Sequence, residues 1–138
     1  MNSFKAWFFI IASLGLVQTV EAGAVIVSAD SALTSASADS VRQVYLGKSE
    51  SLEGIKVTPL DQSADSDVRA SFYEAVAGMK QAQAKSYWAK QVFTGKATPP
   101  DEIGSDADII SAVASNNAAI GYVSDAAVTA DVRVILEF

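Results

Sequence analysis

From Ala24 onward, short β-branched runs alternate with stretches whose apolar residues recur three and four positions apart. This alternation constrains the fold more than any other feature of the chain. Parallel strands need a crossover between them, usually a helix, so strand–helix alternation points to a layered α/β fold. Ala24-Val25-Ile26-Val27 has no polar break and reads as a buried strand suited to a parallel sheet. Val41, Val44 and Tyr45 have helical spacing within residues 38–46, with Asp39 or Ser40 at the N-cap and Gly47 as the stop. Residues 55–60 alternate like a strand, and Pro59 falls near its end, where a lost N–H matters least. Val68, Phe72, Val76 and Met79 share one face of a helix that Gly78 ends or interrupts. A second helix over 82–93 turns Ala84, Tyr87, Trp88, Gln91 and Val92 inward, and Gly95 with Pro99-Pro100 closes it. Ser105 or Asp106 caps a third helix with Ile109, Ile110 and Val113 as its apolar face. Residues 118–123 and 132–138 read as the last strands. Residues 28–39, 49–54 and 61–67 read as loops, and Asp101, Glu102, Asp106 and Asp108 as a solvated acidic loop. The sum is an α/β fold: a small mixed, partly parallel sheet of about four strands flanked by helices.

The first 22 residues have a different character. Lys5 supplies a positive charge, residues 6–17 are apolar, and Val20-Glu21-Ala22 suits a signal peptidase. The apolar run is shorter than the roughly 20 residues that span a bilayer. Residues 1–22 are therefore expected to be a cleaved signal peptide, and residues 23–138 a single domain, periplasmic or secreted. No later segment is apolar enough to span a membrane. The net charge of −6, without any basic run, argues against nucleic acid as a partner. With no Cys and no His, the chain lacks disulfides, the usual zinc, copper and haem ligands, and any Cys–His or Ser-His-Asp machinery. No catalytic residue, metal or cofactor is expected.

Three segments taken together resemble a known family. They are Val41-Arg42-Gln43-Val44-Tyr45-Leu46-Gly47-Lys48, then Val68-Arg69-Ala70-Ser71-Phe72-Tyr73, then an ordered set. That set is Tyr87-Trp88, Phe93-Thr94-Gly95-Lys96, Pro99-Pro100 and Ala119-Ile120-Gly121-Tyr122-Val123. Their order and spacing are similar to substrate-binding proteins of phosphate ABC transporters, over residues 24–125. The resemblance implies one lobe of a type II periplasmic binding protein, an exported non-enzyme that binds inorganic phosphate or a similar oxyanion. The implied partners are an ABC transporter permease, or a second lobe supplied by dimerisation. The alternative is an envelope interaction or scaffold protein that kept the lobe but not the ligand.

The loop 61–69 is the candidate site, because it follows a strand and opens a helix. Free N–H groups and the positive end of the helix dipole favour an anion there. Ser63 and Ser66 offer hydroxyls, and the Arg69 fork can hold two oxygens. In the family the matching loop carries an Arg and a Ser-Gly-Thr run that grips phosphate, and Ser66-Asp67-Val68 stands about where that run would be. Asp67 thus enters the candidate set, although it and Asp61 and Asp65 add negative charge. Ser28, just after the first strand, is a further candidate contact, since ligands of α/β sheets gather at strand ends.

Overall fold

The structure, a computed structural model, describes residues 22–138. The segment read as a signal peptide, apart from Ala22, lies outside the described residues. In chain order the elements are β1 (Gly23–Ser28), α1 (Ala38–Tyr45), β2 (Ser51–Leu52), β3 (Ile55–Lys56) and β4 (Thr58–Gln62). Then follow α2 (Asp67–Phe72), a π-helical turn (Tyr73–Ala77), α3 (Gln81–Phe93), β5 (Asp101–Gly104), α4 (Asp106–Ala114), β6 (Ala119–Ser124) and β7 (Val132–Glu137). Five strands form one sheet in the order β5-β4-β6-β1-β7, and β2 and β3 form a separate hairpin. β4 is parallel to both β5 and β6, whereas β1 is antiparallel to both β6 and β7.

Alternation along β1 divides the core. Val25 and Val27 join Ile120, Tyr122 and Ile135 on the face covered by α1 and α2. Ala24 and Ile26 join Ala119, Val123 and Val132 on the face covered by Ile109 and Val113 of α4. α4 lies very close to the sheet, since a Cβ at Gly121 would come within 2.5 Å of the Ile109 Cγ2. On the first face Phe72 stacks on Tyr122 with ring centroids 4.0 Å apart and meets Tyr45 edge to face at 4.7 Å. The Tyr45 hydroxyl donates to the carbonyls of Leu60 (2.9 Å) and Ile120 (3.2 Å), so α1 pins β4 to β6. Arg133 donates to the carbonyls of Ala29, Ser31 and Leu33 and clamps the loop after β1.

Several sequence expectations are corrected. β1 suits a parallel strand by composition, yet both its pairings are antiparallel; a two-sided apolar strand is compatible with either direction. Ser37, not Asp39 or Ser40, caps α1, accepting the Ser40 N–H at 3.1 Å. The strand expected over 55–60 is two strands, hinged at Val57, and the expected 49–54 loop holds β2. Pro59 is tolerated because β4 pairs with β5 only from Leu60 onward. Asp101 to Gly104 is an edge strand and not a loop; an edge needs only one paired side, and its acids keep it from pairing further. In α3 only Ala84 and Trp88 are buried, and Val92, expected inside, is 56% exposed.

Candidate functional site

Because β4, β5 and β6 are parallel, Gln62, Gly104 and Ser124 finish at one edge of the sheet. Ligands of open α/β sheets collect outside such carboxyl ends. β4 runs through a turn at residues 63–66 into α2, and β5 runs through Ser105 into α4. Ser66 caps α2, accepting the Arg69 backbone N–H at 3.2 Å, and donates to Gln62 Oε1 at 2.6 Å. The Gln62 side-chain amide donates to Asp106 Oδ1 (2.7 Å) and to the Tyr122 carbonyl (2.9 Å). Asp106 Oδ2 accepts from the Ser124 hydroxyl at 2.6 Å, so polar side chains lace the three strand ends together. Gly104 has φ +123°, and a Cβ there would collide with the Asp108 carboxylate, which accepts the Ser105 N–H at 3.0 Å. Over this network lies a shallow groove of about 570 Å³, lined by Gln62, Ser63, Ser66, Gly104 and Ser105, with Asp65 and Asp106 also on its wall. Two helix starts and the Ser63 hydroxyl favour an anion there, the Ser66 and Ser105 hydroxyls being given to Gln62 and Asp108, and the carboxylates oppose it.

Behind the groove sits a buried charge cluster. Asp61, at the end of β4, is 2% exposed. One of its oxygens accepts from the Tyr122 hydroxyl and the other from the Tyr73 hydroxyl at 2.6 Å. Arg69 Nη2 lies 3.7 Å away. Burial pushes the Asp61 carboxyl above its ordinary range, outweighing the tyrosine hydrogen bonds and Arg69. Burial, reinforced by the Asp61 charge, likewise raises both tyrosine hydroxyls, so they remain donors. Arg69 Nη1 donates to Glu102 at 2.5 Å and to the Gln62 carbonyl at 2.8 Å. Burial pulls the Arg69 guanidinium down, but Glu102 and Asp61 raise it further, and it stays a cation.

The residues singled out in the sequence do not all converge. Ser63 and Ser66 line the groove. Asp67 is exposed in the first turn of α2. Arg69 opens on another hollow, beside α3, with its guanidinium already paired. Ser28 is buried at the opposite edge of the sheet, because β1 runs against β6, and its hydroxyl accepts the Asp30 N–H at 3.2 Å. Sequence reasoning missed Gln62, Asp61, Tyr73, Tyr122, Glu102 and Asp106 as one connected network. One signal was available: Asp61 directly follows a strand reading, and an acid at a strand end is a candidate for burial with partners. Among the described residues no cluster of three acids is arranged to hold a metal ion, and no helix is long and apolar enough to cross a membrane.

No protein-family profile matches the sequence, and no curated protein matches it. Solved structures do match. One is an ABC-type phosphate transport receptor from Vibrio cholerae, at TM-score 0.63 and 18% identity, over 83% of this chain and 45% of the receptor. Another is a protein from Clostridium perfringens described as a phosphate ABC transporter substrate-binding protein with bound phosphate, at TM-score 0.63 and 18% identity, over 84% of this chain and 45% of that one. The fold is that of a lobe of such receptors. This chain spans about 45% of the length of each. The expected fold class is thereby borne out, with five strands in the main sheet where about four were expected.

Proposed function

We propose that this chain is an exported, non-catalytic oxyanion-binding lobe, similar in role to part of a phosphate transport receptor, with residues 1–22 removed on export. The observation that carries the reading is the groove at the carboxyl ends of β4 and β5, in a fold shared with phosphate receptors. Inorganic phosphate or a similar oxyanion would meet the Ser63 hydroxyl, whose backbone alone serves the turn, donating to the Gly104 carbonyl and accepting from the Ser66 N–H. Backbone N–H groups at the Ser66 and Asp67 end of α2 would complete the contacts, since the Ser66 hydroxyl is given to Gln62 and both Ser105 donors are given to Asp108. Arg69 acts from behind, holding the Gln62 carbonyl and lending positive potential. Asp65 and Asp106 stand in the same wall and water reaches the open groove, so affinity is expected no tighter than about micromolar.

Isothermal titration with phosphate tests this. Expected is weak binding that falls with added salt and is lost in Ser63→Ala and Arg69→Ala. Silence toward phosphate, sulfate and phosphonates alike would sink the reading and leave the scaffold role, with a permease or a second lobe as the partner. N-terminal sequencing of protein from the cell envelope should begin at Gly23; an intact Met1 would sink the export part.

A further inference from the structure

Of the 13 residues of α3 only Ala84 and Trp88 are buried. Among the described residues, the large apolar side chains left in solvent are Val92 and Phe93, side by side at the C-terminal end of this helix. Phe93 belongs to a line. Helical spacing sets Ala82, Ser86, Ala89 and Phe93 opposite Ala84 and Trp88, at steps of four, three and four, and all four are exposed. The line is its own complement. Turned end for end about a twofold axis between Tyr87 and Trp88, it sets Phe93 against Ala82 and Ser86 against Ala89, twice over.

Of the four, Ala82 is the one that borders a hollow. This hollow, of about 550 Å³, lies between α3, Pro99-Pro100 and β5, and Trp88 and the two prolines give it apolar wall. Its charged groups are Arg69 and Asp61, which face each other, with Lys85 and Glu102. Phe93 stands eleven residues from Ala82, about 16 Å along its own helix, so its ring reaches such a hollow only in another molecule. Charge agrees with that placing. Val92 and Lys96 lie on the flank of α3 beside Pro99, which also lines the hollow. The twofold brings like flanks together, so Val92 and Lys96 of one copy run along the hollow of the other, where Glu102 is half exposed. Residues 75–100 hold four lysines and no acid, and residues 101–131 hold six acids and no base, so the two rims are of opposite sign.

We infer that α3 docks antiparallel on α3 of a second copy of this chain, each Phe93 ring seated beside Ala82 over the other copy's hollow. A single helix seam is small beside the roughly 1,200 Å² of a stable interface, and Lys85 repels the Lys96 that approaches its flank. Association is therefore expected on the order of 100 μM, and well below that the chain is a monomer. The inference does not rest on the strand-end groove, none of whose walls belong to α3.

Sedimentation equilibrium of the chain as isolated from the cell envelope, over a wide range of concentration around that value, tests it. Expected is a monomer–dimer equilibrium without larger species, because a twofold pairing closes. Phe93→Ser and Ala82→Glu should each weaken the dimer about tenfold or more, and Lys96→Glu several-fold. All three positions are exposed in one chain, and circular dichroism of the variants should show the fold intact. Ala82→Glu carries the decision, because only a second molecule brings Phe93 to Ala82. A monomer at every concentration overturns the inference, as does association that Ala82→Glu leaves unchanged. Co-sedimentation with anionic phospholipid vesicles that is lost in Phe93→Ser but kept in Ala82→Glu would give this face to a membrane surface instead, and overturns it as well.

Discussion

On one face of the sheet Tyr45, Phe72, Tyr73 and Tyr122 pack ring against ring around the buried Asp61 carboxylate. On the other, Ala24, Ile26, Ala119, Val123 and Val132 meet Ile109 and Val113 of α4 without a hydroxyl or a charge among them. The difference teaches how each face tolerates what it buries. The aromatic face holds an ionisable group because two phenols and an arginine satisfy its oxygens, which an apolar wall cannot do. The aliphatic face has no such partners and depends on close approach, which Gly121 permits.

The largest expected effect is on the aromatic side. Phe72 touches all three tyrosine rings and Phe138, so Phe72→Ala should cost about 3–5 kcal/mol in urea denaturation. A loss below about 1 kcal/mol would show that the rings do not carry that face. On the aliphatic side Gly121→Ala should cost about 1–3 kcal/mol through overpacking against Ile109 and Val113. Combined with Ile109→Ala, which removes the nearest methyl, it should cost less than the sum of the single changes. Simple additivity would mean that close approach is not what Gly121 supplies.

A smaller effect, visible only with pH, sharpens the contrast. Asp61 has a raised pKa in the fold, so the stability tied to its proton is fully present below its unfolded value, near 3.8. That stability is lost as pH rises through the raised folded value. The stability of the wild type relative to Asp61→Asn should therefore fall as pH climbs from 3 toward neutrality, as read by urea melts at a series of pH values. The opposite slope would mean that the tyrosines and Arg69 outweigh burial. The smallest effect belongs outside both faces. Phe93 is 92% exposed, so Phe93→Ser should shift stability by no more than about 0.5 kcal/mol in a thermal melt.

Much of the strand-and-helix pattern was legible because periodicity is a local property. β1, β6, β7, α1, α3 and α4 each announce themselves within ten residues or so through apolar spacing and stop signals. β5 was not legible: Asp101-Glu102-Ile103-Gly104 carries one apolar side chain, and its strand character comes from pairing with β4. The site was legible in part. The Ser63 and Ser66 turn follows from a strand running into a cap, whereas the Gln62 amide shows its use only when Asp106, 44 positions later, is brought beside it.

By itself the sequence determined the α/β class, the two-sided apolar character of β1, a cap for α4 at Ser105 or Asp106, and the absence of thiol and imidazole chemistry. Tertiary structure alone decided the direction of β1, and with it the placing of Ser28 at the edge opposite Ser63. It also turned Asp61 from a loop acid into a buried carboxylate, by bringing Tyr122 from 61 positions away to donate to it. The physical reason is the same in each case. Spacing fixes which side of an element is apolar, but the direction of a strand and the partner of a buried charge depend on groups distant in the chain, which meet only when the sheet closes.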